Sequence, residues 1–126
     1  MKLSKQNIKW LSKPEKHDYP AAKSYLNLIF PTTKCDDIID ALETAPVIKF
    51  KAKDIFRAST LSLLGVSNLH IKKNIKKIKK GIALSPILLV RDTNNTKVII
   101  ADGYHRLCTV YQIDEDAEIP CKIVSL

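Results

Sequence analysis

The apolar residues of this chain fall into short runs whose spacing changes from strand-like to helix-like. Two runs rich in β-branched residues, 87–90 and 98–101, flank a polar Asn94-Asn95 turn. That arrangement predicts a β-hairpin. Helical spacing begins soon afterwards at Leu107. The pattern therefore predicts two paired strands that lead directly into a helix.

The remaining periodicity predicts helices before the hairpin and a strand at the end. The predicted elements are an arm over 1–19, helices over 20–30 and 33–45, a strand over 47–50, a short helix over 53–58, a helix over about 68–80 and a last strand over 119–124. Pro120 predicts an edge position or a strand start for the last of these. The order is typical of the α+β class, with a small mixed β-sheet and packed helices. We expect residues 1–45 to form an N-terminal arm and helical extension, and residues 46–126 to form the main domain of one compact unit.

The helix that precedes the hairpin is strongly basic. Its lysines are Lys72, Lys73, Lys76, Lys77, Lys79 and Lys80, and its isoleucines Ile71, Ile75, Ile78 and Ile82 have the spacing of one apolar stripe. Ser67 or Asn68 can cap its start, and Gly81 is suited to its end. The net charge is +8, and the chain outside this segment is close to balanced. Such a patch indicates an anionic partner, which could be a nucleotide, a nucleic acid or an acidic protein, unless it is simply a solvated face.

A polar cluster, Asp102-Gly103-Tyr104-His105-Arg106, lies where the second hairpin strand meets the next helix. Backbone N–H groups at a helix start are unpaired and carry partial positive charge. A glycine lets a ligand approach the backbone closely, and His and Arg add charged donors. The cluster therefore predicts an anion or phosphate site. The same residues could instead form a capped turn, with Asp102 as N-cap and Arg106 paired with an acid.

Composition narrows the class of protein. The chain has 126 residues, which suits one domain, and its three cysteines include no CxxC pair. That usage is typical of a reducing compartment. We find no apolar run of about 20 residues and no apolar signal segment, so we expect a cytoplasmic protein without a membrane span. No metal-ligand spacing is present, so we expect no intrinsic metal.

Residues 46–126 resemble the ParB/sulfiredoxin superfamily in the order and spacing of their motifs. The resemblance rests on Gly81-x-x-x-x-Pro86-Ile87, on the turn at 102–106 and on the closing Ile119-Pro120. It implies the ParB/sulfiredoxin-like fold and a nucleotide ligand. Its phosphate-binding residues would be Gly103, Tyr104, His105 and Arg106 from the turn, and His70, Lys73 and Lys77 from the preceding helix.

The resemblance also implies a chemistry. The nucleotide would be ATP or CTP, with Mg²⁺ held by Asp102 and phosphate oxygens, and the reaction would be phosphoryl transfer or nucleotide hydrolysis. Asp102 and His105 are the expected catalytic residues. Sulfiredoxin activity is not expected, because Tyr104 stands where those enzymes have their reactive cysteine; the tyrosine could stack on a base or cover the core. The alternative is a non-catalytic module that binds nucleic acid or protein through the Lys72–Lys80 helix.

Overall fold

A computed structural model describes residues 3–62 and 68–126 as a four-stranded sheet with helices on both faces. A 3-10 turn at Lys5–Asn7 precedes α1 (Asp18–Leu26), α2 (Thr32–Thr44), β1 (Ile48–Lys51), α3 (Ala52–Ser59), α4 (Leu69–Lys79), β2 (Ile87–Asp92), β3 (Lys97–Asp102), α5 (Tyr104–Ile113) and β4 (Glu118–Ser125). The predicted α+β class is confirmed. No helix within the described ranges is long and apolar enough to cross a membrane.

The strands lie in the order β1-β4-β2-β3, and the sheet is mixed. β2 pairs with β3 and β1 pairs with β4 in antiparallel fashion, whereas β2 and β4 are parallel. Because β4 is an interior strand, the edge position predicted from Pro120 is wrong. The proline is tolerated because the ladder between β2 and β4 begins one residue later, where Ile87 is opposite Cys121.

Alternate side chains of β2 enter two separate cores. Ile87 and Leu89 pack with α3, α4 and α5, whereas Leu88 and Val90 pack with α1 and α2. All four are at most 1% exposed. A strand that is covered on both faces has apolar residues at consecutive positions, which explains the continuous apolar sequence at 87–90. The predicted N-terminal extension thus supplies the helical layer on one face of the sheet; its boundary at residue 45 stays a prediction.

The first helix differs from its prediction. α1 begins at Asp18 and ends at Leu26, so the apolar residues after it do not belong to a helical face. Ala22 and Leu26 are fully buried, whereas Leu28 is 85% exposed and Ile29 is 45% exposed. The buried face of the helix is therefore narrow: Asp18, Ala22 and Leu26, each four residues apart.

The ends of α4 agree with the prediction, but its buried stripe does not. Asn68 accepts hydrogen bonds from the N–H groups of His70 and Ile71, 2.9 and 3.4 Å away; Ser67, the other predicted cap, lies outside the described residues. Gly81, at a φ of +73°, follows the helix. The following residue, Ile82, is therefore outside the helix and 48% exposed. The buried positions are Ile71, Asn74 and Ile78, and Ile75 is partly buried.

The arm before α1 packs against the loop that precedes β2. Leu11 donates its N–H to the Leu84 carbonyl, and Leu84 donates to the Lys9 carbonyl, both at 2.8 Å. Further on, the Glu15 N–H donates to the Ser85 hydroxyl at 3.1 Å. These hydrogen bonds hold the start of α1 beside the C-terminal end of β3, where the chain continues into α5. Asp18 lies at this start of α1.

Candidate functional site

A cleft of about 230 Å³ lies between α4 and the start of α5. We call it the Gly103 cleft. It brings together every site residue that the sequence analysis selected and adds one more, Asn74. Its lining residues are His70, Lys73, Asn74, Lys77, Asp102, Gly103, Tyr104, His105 and Arg106.

The glycine of this cleft is required by the backbone and by its neighbours. Gly103 is the N-cap of α5, at a φ of +112° that side-chain-bearing residues rarely adopt. A Cβ there would lie 2.9 Å from Arg106 Nη2 and 3.0 Å from two carbons of Ile87. The first bond of the helix runs from the Leu107 N–H to the Gly103 carbonyl, at 2.9 Å. The N–H groups of residues 104–106 come before that bond and have no intrahelical acceptor.

Arg106 is held by carboxylates. Its Nη2 lies 2.9 Å from Asp102 Oδ2, and its Nη1 lies 4.0 Å from Asp18 Oδ1. The side chain is only 17% exposed, and its buried Nε has no hydrogen-bond partner among the described residues. The predicted pairing of Arg106 with an acid is therefore present. Asp102, however, is not the N-cap of α5, which is Gly103 and has no side-chain capping bond.

Asp18 is the residue of this network that the sequence analysis did not select. Its side chain is 3% exposed and accepts hydrogen bonds from the Ser85 hydroxyl and, at 3.3 Å, from the Glu15 N–H. In the sequence it resembles an ordinary acidic residue in the first turn of a helix. No pattern along the chain connects it with residues 102–106, because the two segments meet only through the packing of the arm and of α1 against the sheet.

The surroundings of Asp102 raise the pKa of its carboxyl group. Burial raises the pKa of Asp102, the Arg106 guanidinium opposes that rise, and the nearby Asp18 carboxylate adds to it. Two acids share one guanidinium, so Arg106 has little uncompensated charge to offer a ligand. An Asp with a raised pKa accepts a proton more readily than an ordinary one, which suits a general base.

Three rings form an aromatic wall on one side of the cleft. The His70 and His105 ring centroids are 4.4 Å apart, and those of Tyr104 and His105 are 5.7 Å apart. The Tyr104 hydroxyl donates to the Ser62 carbonyl. Burial lowers the pKa of His105, and the neighbouring His70 lowers it further. At neutral pH His105 is therefore mainly uncharged, and it can donate or accept a hydrogen bond as the imidazole.

Two lysines of α4 contribute positive charge to the cleft. Lys73 and Lys77, four residues apart, are exposed and line the same side. None of the six lysines between residues 72 and 80 forms an ion pair with a carboxylate of the described residues. Behind these lysines Asn74 donates to Thr109 Oγ1 at 3.5 Å, which joins α4 to α5.

The cleft presents ammonium and backbone N–H donors, which are able to bind an anion. Within the described part of the chain, no three His, Cys, Asp or Glu side chains are grouped so that they could hold a metal ion. Comparisons with protein-family models, with curated proteins and with solved structures gave no match. The geometry of the cleft is therefore the basis for any functional conclusion.

Proposed function

We propose that the chain is a small nucleotide- or phosphate-binding domain whose ligand places a phosphate group in the Gly103 cleft. The observation that carries the proposal is the convergence of Lys73 and Lys77 on the open first turn of α5. Two ammonium groups without a carboxylate partner among the described residues then face backbone N–H groups that have no intrahelical acceptor. That combination favours a phosphate ligand by charge and by hydrogen bonding.

The volume limits which part of the ligand is enclosed. Pockets that enclose a whole small molecule measure about 300–1,000 Å³, and this cleft measures about 230 Å³. The cleft fits phosphate groups, and the sugar and base of ATP or CTP would extend outside it. Tyr104 and the two histidine rings offer flat surfaces on which a base can stack.

Any catalysis here would be phosphoryl transfer or nucleotide hydrolysis. In such reactions positioning and charge neutralisation supply most of the rate acceleration. Lys73 and Lys77 would neutralise the phosphate oxygens, and Asp102 would accept the proton of the attacking hydroxyl or hold Mg²⁺ together with those oxygens. His105, uncharged, would donate a hydrogen bond to the phosphate.

A paired set of lysine variants tests the proposal. We expect Lys73→Gln/Lys77→Gln to weaken ATP and CTP binding by about tenfold or more, because two charges near the phosphates are lost. Calorimetric titration with and without Mg²⁺ gives the affinities. The matched control is Lys72→Gln/Lys76→Gln, which removes two exposed lysines of the same helix at the same spacing outside the cleft. Equal effects of the two pairs, or no nucleotide binding by the unaltered protein, would contradict the proposal.

A second candidate function is favoured by the lysines at residues 72–80, which form no ion pair with a carboxylate in the described part of the chain. All six lysines between residues 72 and 80 are exposed. We propose as the alternative a non-catalytic module that binds nucleic acid along this helix. Phosphate contacts release counterions, so binding of this kind is steeply dependent on salt.

The alternative makes a distinct prediction for duplex DNA. We expect the logarithm of affinity to fall with the logarithm of salt concentration with a slope of about −0.9 per phosphate contacted. The variants Lys73→Gln/Lys77→Gln and Lys72→Gln/Lys76→Gln should each reduce the steepness of that slope by the same amount, equivalent to about two phosphate contacts. Fluorescence anisotropy at several salt concentrations measures it. An affinity that does not change with salt would exclude this module.

A further inference from the structure

A buried lysine lies on the other face of the sheet from the Gly103 cleft. Lys122 of β4 is 7% exposed. Its Nζ donates to the Glu43 carbonyl at 2.9 Å, in the last turn of α2, and lies 5.6 Å from the centre of the Tyr19 ring. An ammonium group has three donors, so these contacts leave donor capacity unused. A buried charge without an ionic partner is costly, which gives the position a reason to be functional.

Two further lysines reach the same place from the N-terminal arm. Lys13 and Lys16 are exposed and line a common cavity with Lys122. Throughout residues 3–62 and 68–126, no carboxylate forms an ion pair with any of the three. Glu43 is the acidic residue in the lining, so positive charge predominates there.

The cavity that these residues line is open to solvent and large enough for a small molecule. It measures about 520 Å³, more than twice the Gly103 cleft, and we call it the Lys122 cavity. Small-molecule pockets have volumes of about 300–1,000 Å³. Its walls also include Pro14, Tyr19 and Pro20, which give an apolar surface beside the charged one.

We propose that the Lys122 cavity binds a small organic anion, with its carboxylate or phosphate head on Lys122 and its apolar body against Tyr19 and the two prolines. A charge-assisted hydrogen bond from a desolvated ammonium is among the stronger polar contacts, and the ring adds apolar area. Lys13 and Lys16 attract the anion at the entrance. The site is independent of the Gly103 cleft.

Amide NMR of the full chain tests this with four probes: benzoate, phenyl phosphate, benzyl alcohol and inorganic phosphate. We expect both aromatic anions to shift the signals of residues 13–20, 43 and 122 and to saturate. Benzyl alcohol, which lacks the charge, and inorganic phosphate, which lacks the apolar body, should bind at least tenfold more weakly. The relative affinities of benzoate and phenyl phosphate identify the preferred head group.

Variants locate the charge. We expect Lys122→Met to weaken binding of the aromatic anions at least tenfold and Lys16→Gln to weaken it two- to fivefold. The matched control Lys97→Gln, an exposed lysine at the start of the edge strand β3 and outside the cavity, should leave binding unchanged. If Lys122→Met does not fold, the comparison of Lys16→Gln with Lys97→Gln decides. Lys73→Gln/Lys77→Gln should have no effect, which separates this site from the proposed function.

Three results would overturn the proposal. The first is equal affinity for benzyl alcohol and benzoate. The second is unchanged binding in a folded Lys122→Met protein or, where that variant does not fold, in Lys16→Gln. The third is a set of shifts confined to residues 73, 77 and 102–106, because the anion would then belong to the Gly103 cleft.

Discussion

Replacing Arg106 by alanine is expected to lower the free energy of unfolding by about 2–4 kcal/mol. The guanidinium lies beside two acids, 2.9 Å from Asp102 and 4.0 Å from Asp18, and Asp18 is also 3.4 Å from the exposed ring of His17. Removing one partner of a buried pair leaves the other charge without compensation, which typically costs about 3–5 kcal/mol. We expect a slightly smaller loss of unfolding free energy than this, because the Asp102 side chain is 20% exposed. Denaturant unfolding followed by circular dichroism gives the measurement.

The double variant Asp18→Asn/Arg106→Ala identifies the cause of that loss. If the loss comes from an uncompensated Asp18 carboxylate, the double variant is more stable than the sum of the two single variants predicts. The matched control is Arg57→Ala, since Arg57 pairs with Asp54 at 3.6 Å on the surface, where the arginine is 80% exposed. Such exposed pairs contribute little, so we expect almost no change. Additive single variants, or equal losses at Arg57 and Arg106, would show that no buried charge cluster exists.

Replacing Asp102 by asparagine is expected to strengthen Mg²⁺-free binding of ATP or CTP by about tenfold. The carboxylate repels phosphate and occupies Arg106 Nη2, and a negative charge removed within a few ångströms of an anion is worth about one order of magnitude in affinity. Asparagine keeps a hydrogen-bond acceptor for the guanidinium. Calorimetric titration without Mg²⁺ measures the gain.

The same variant separates binding from catalysis. If Asp102 is the base or the Mg²⁺ ligand, Asp102→Asn loses nucleotide hydrolysis or phosphoryl transfer while its Mg²⁺-free affinity rises. Asp116→Asn is the control, because Asp116 pairs with Lys53 at 2.7 Å outside the Gly103 cleft. Weaker Mg²⁺-free binding in Asp102→Asn would mean that the carboxylate orients the ligand. Retained catalysis would remove Asp102 from the chemistry.

Much of the candidate site could be predicted because its residues are close together in sequence. The turn at 102–106 is continuous, and His70, Lys73 and Lys77 have i, i+3 and i+7 spacing, which places them on one side of a helix. Asn74 was missed because a polar residue in an isoleucine-rich helix does not indicate burial. It is buried because Thr109 of α5 lies opposite it.

The sequence by itself determined the local structure of this protein: the hairpin, the helix after Gly103, the start of α4 to within one residue and the α+β class. These features depend on apolar periodicity, turn residues and caps, which act over a few residues. Only the tertiary structure decided the interior position of β4, the layer formed by α1 and α2, the insertion of Asp18 beside Arg106 and the Lys122 cavity. Each of these joins segments far apart in the chain, and long-range contacts are selected by packing and charge compensation in the whole fold, which leave no periodic signal in the sequence.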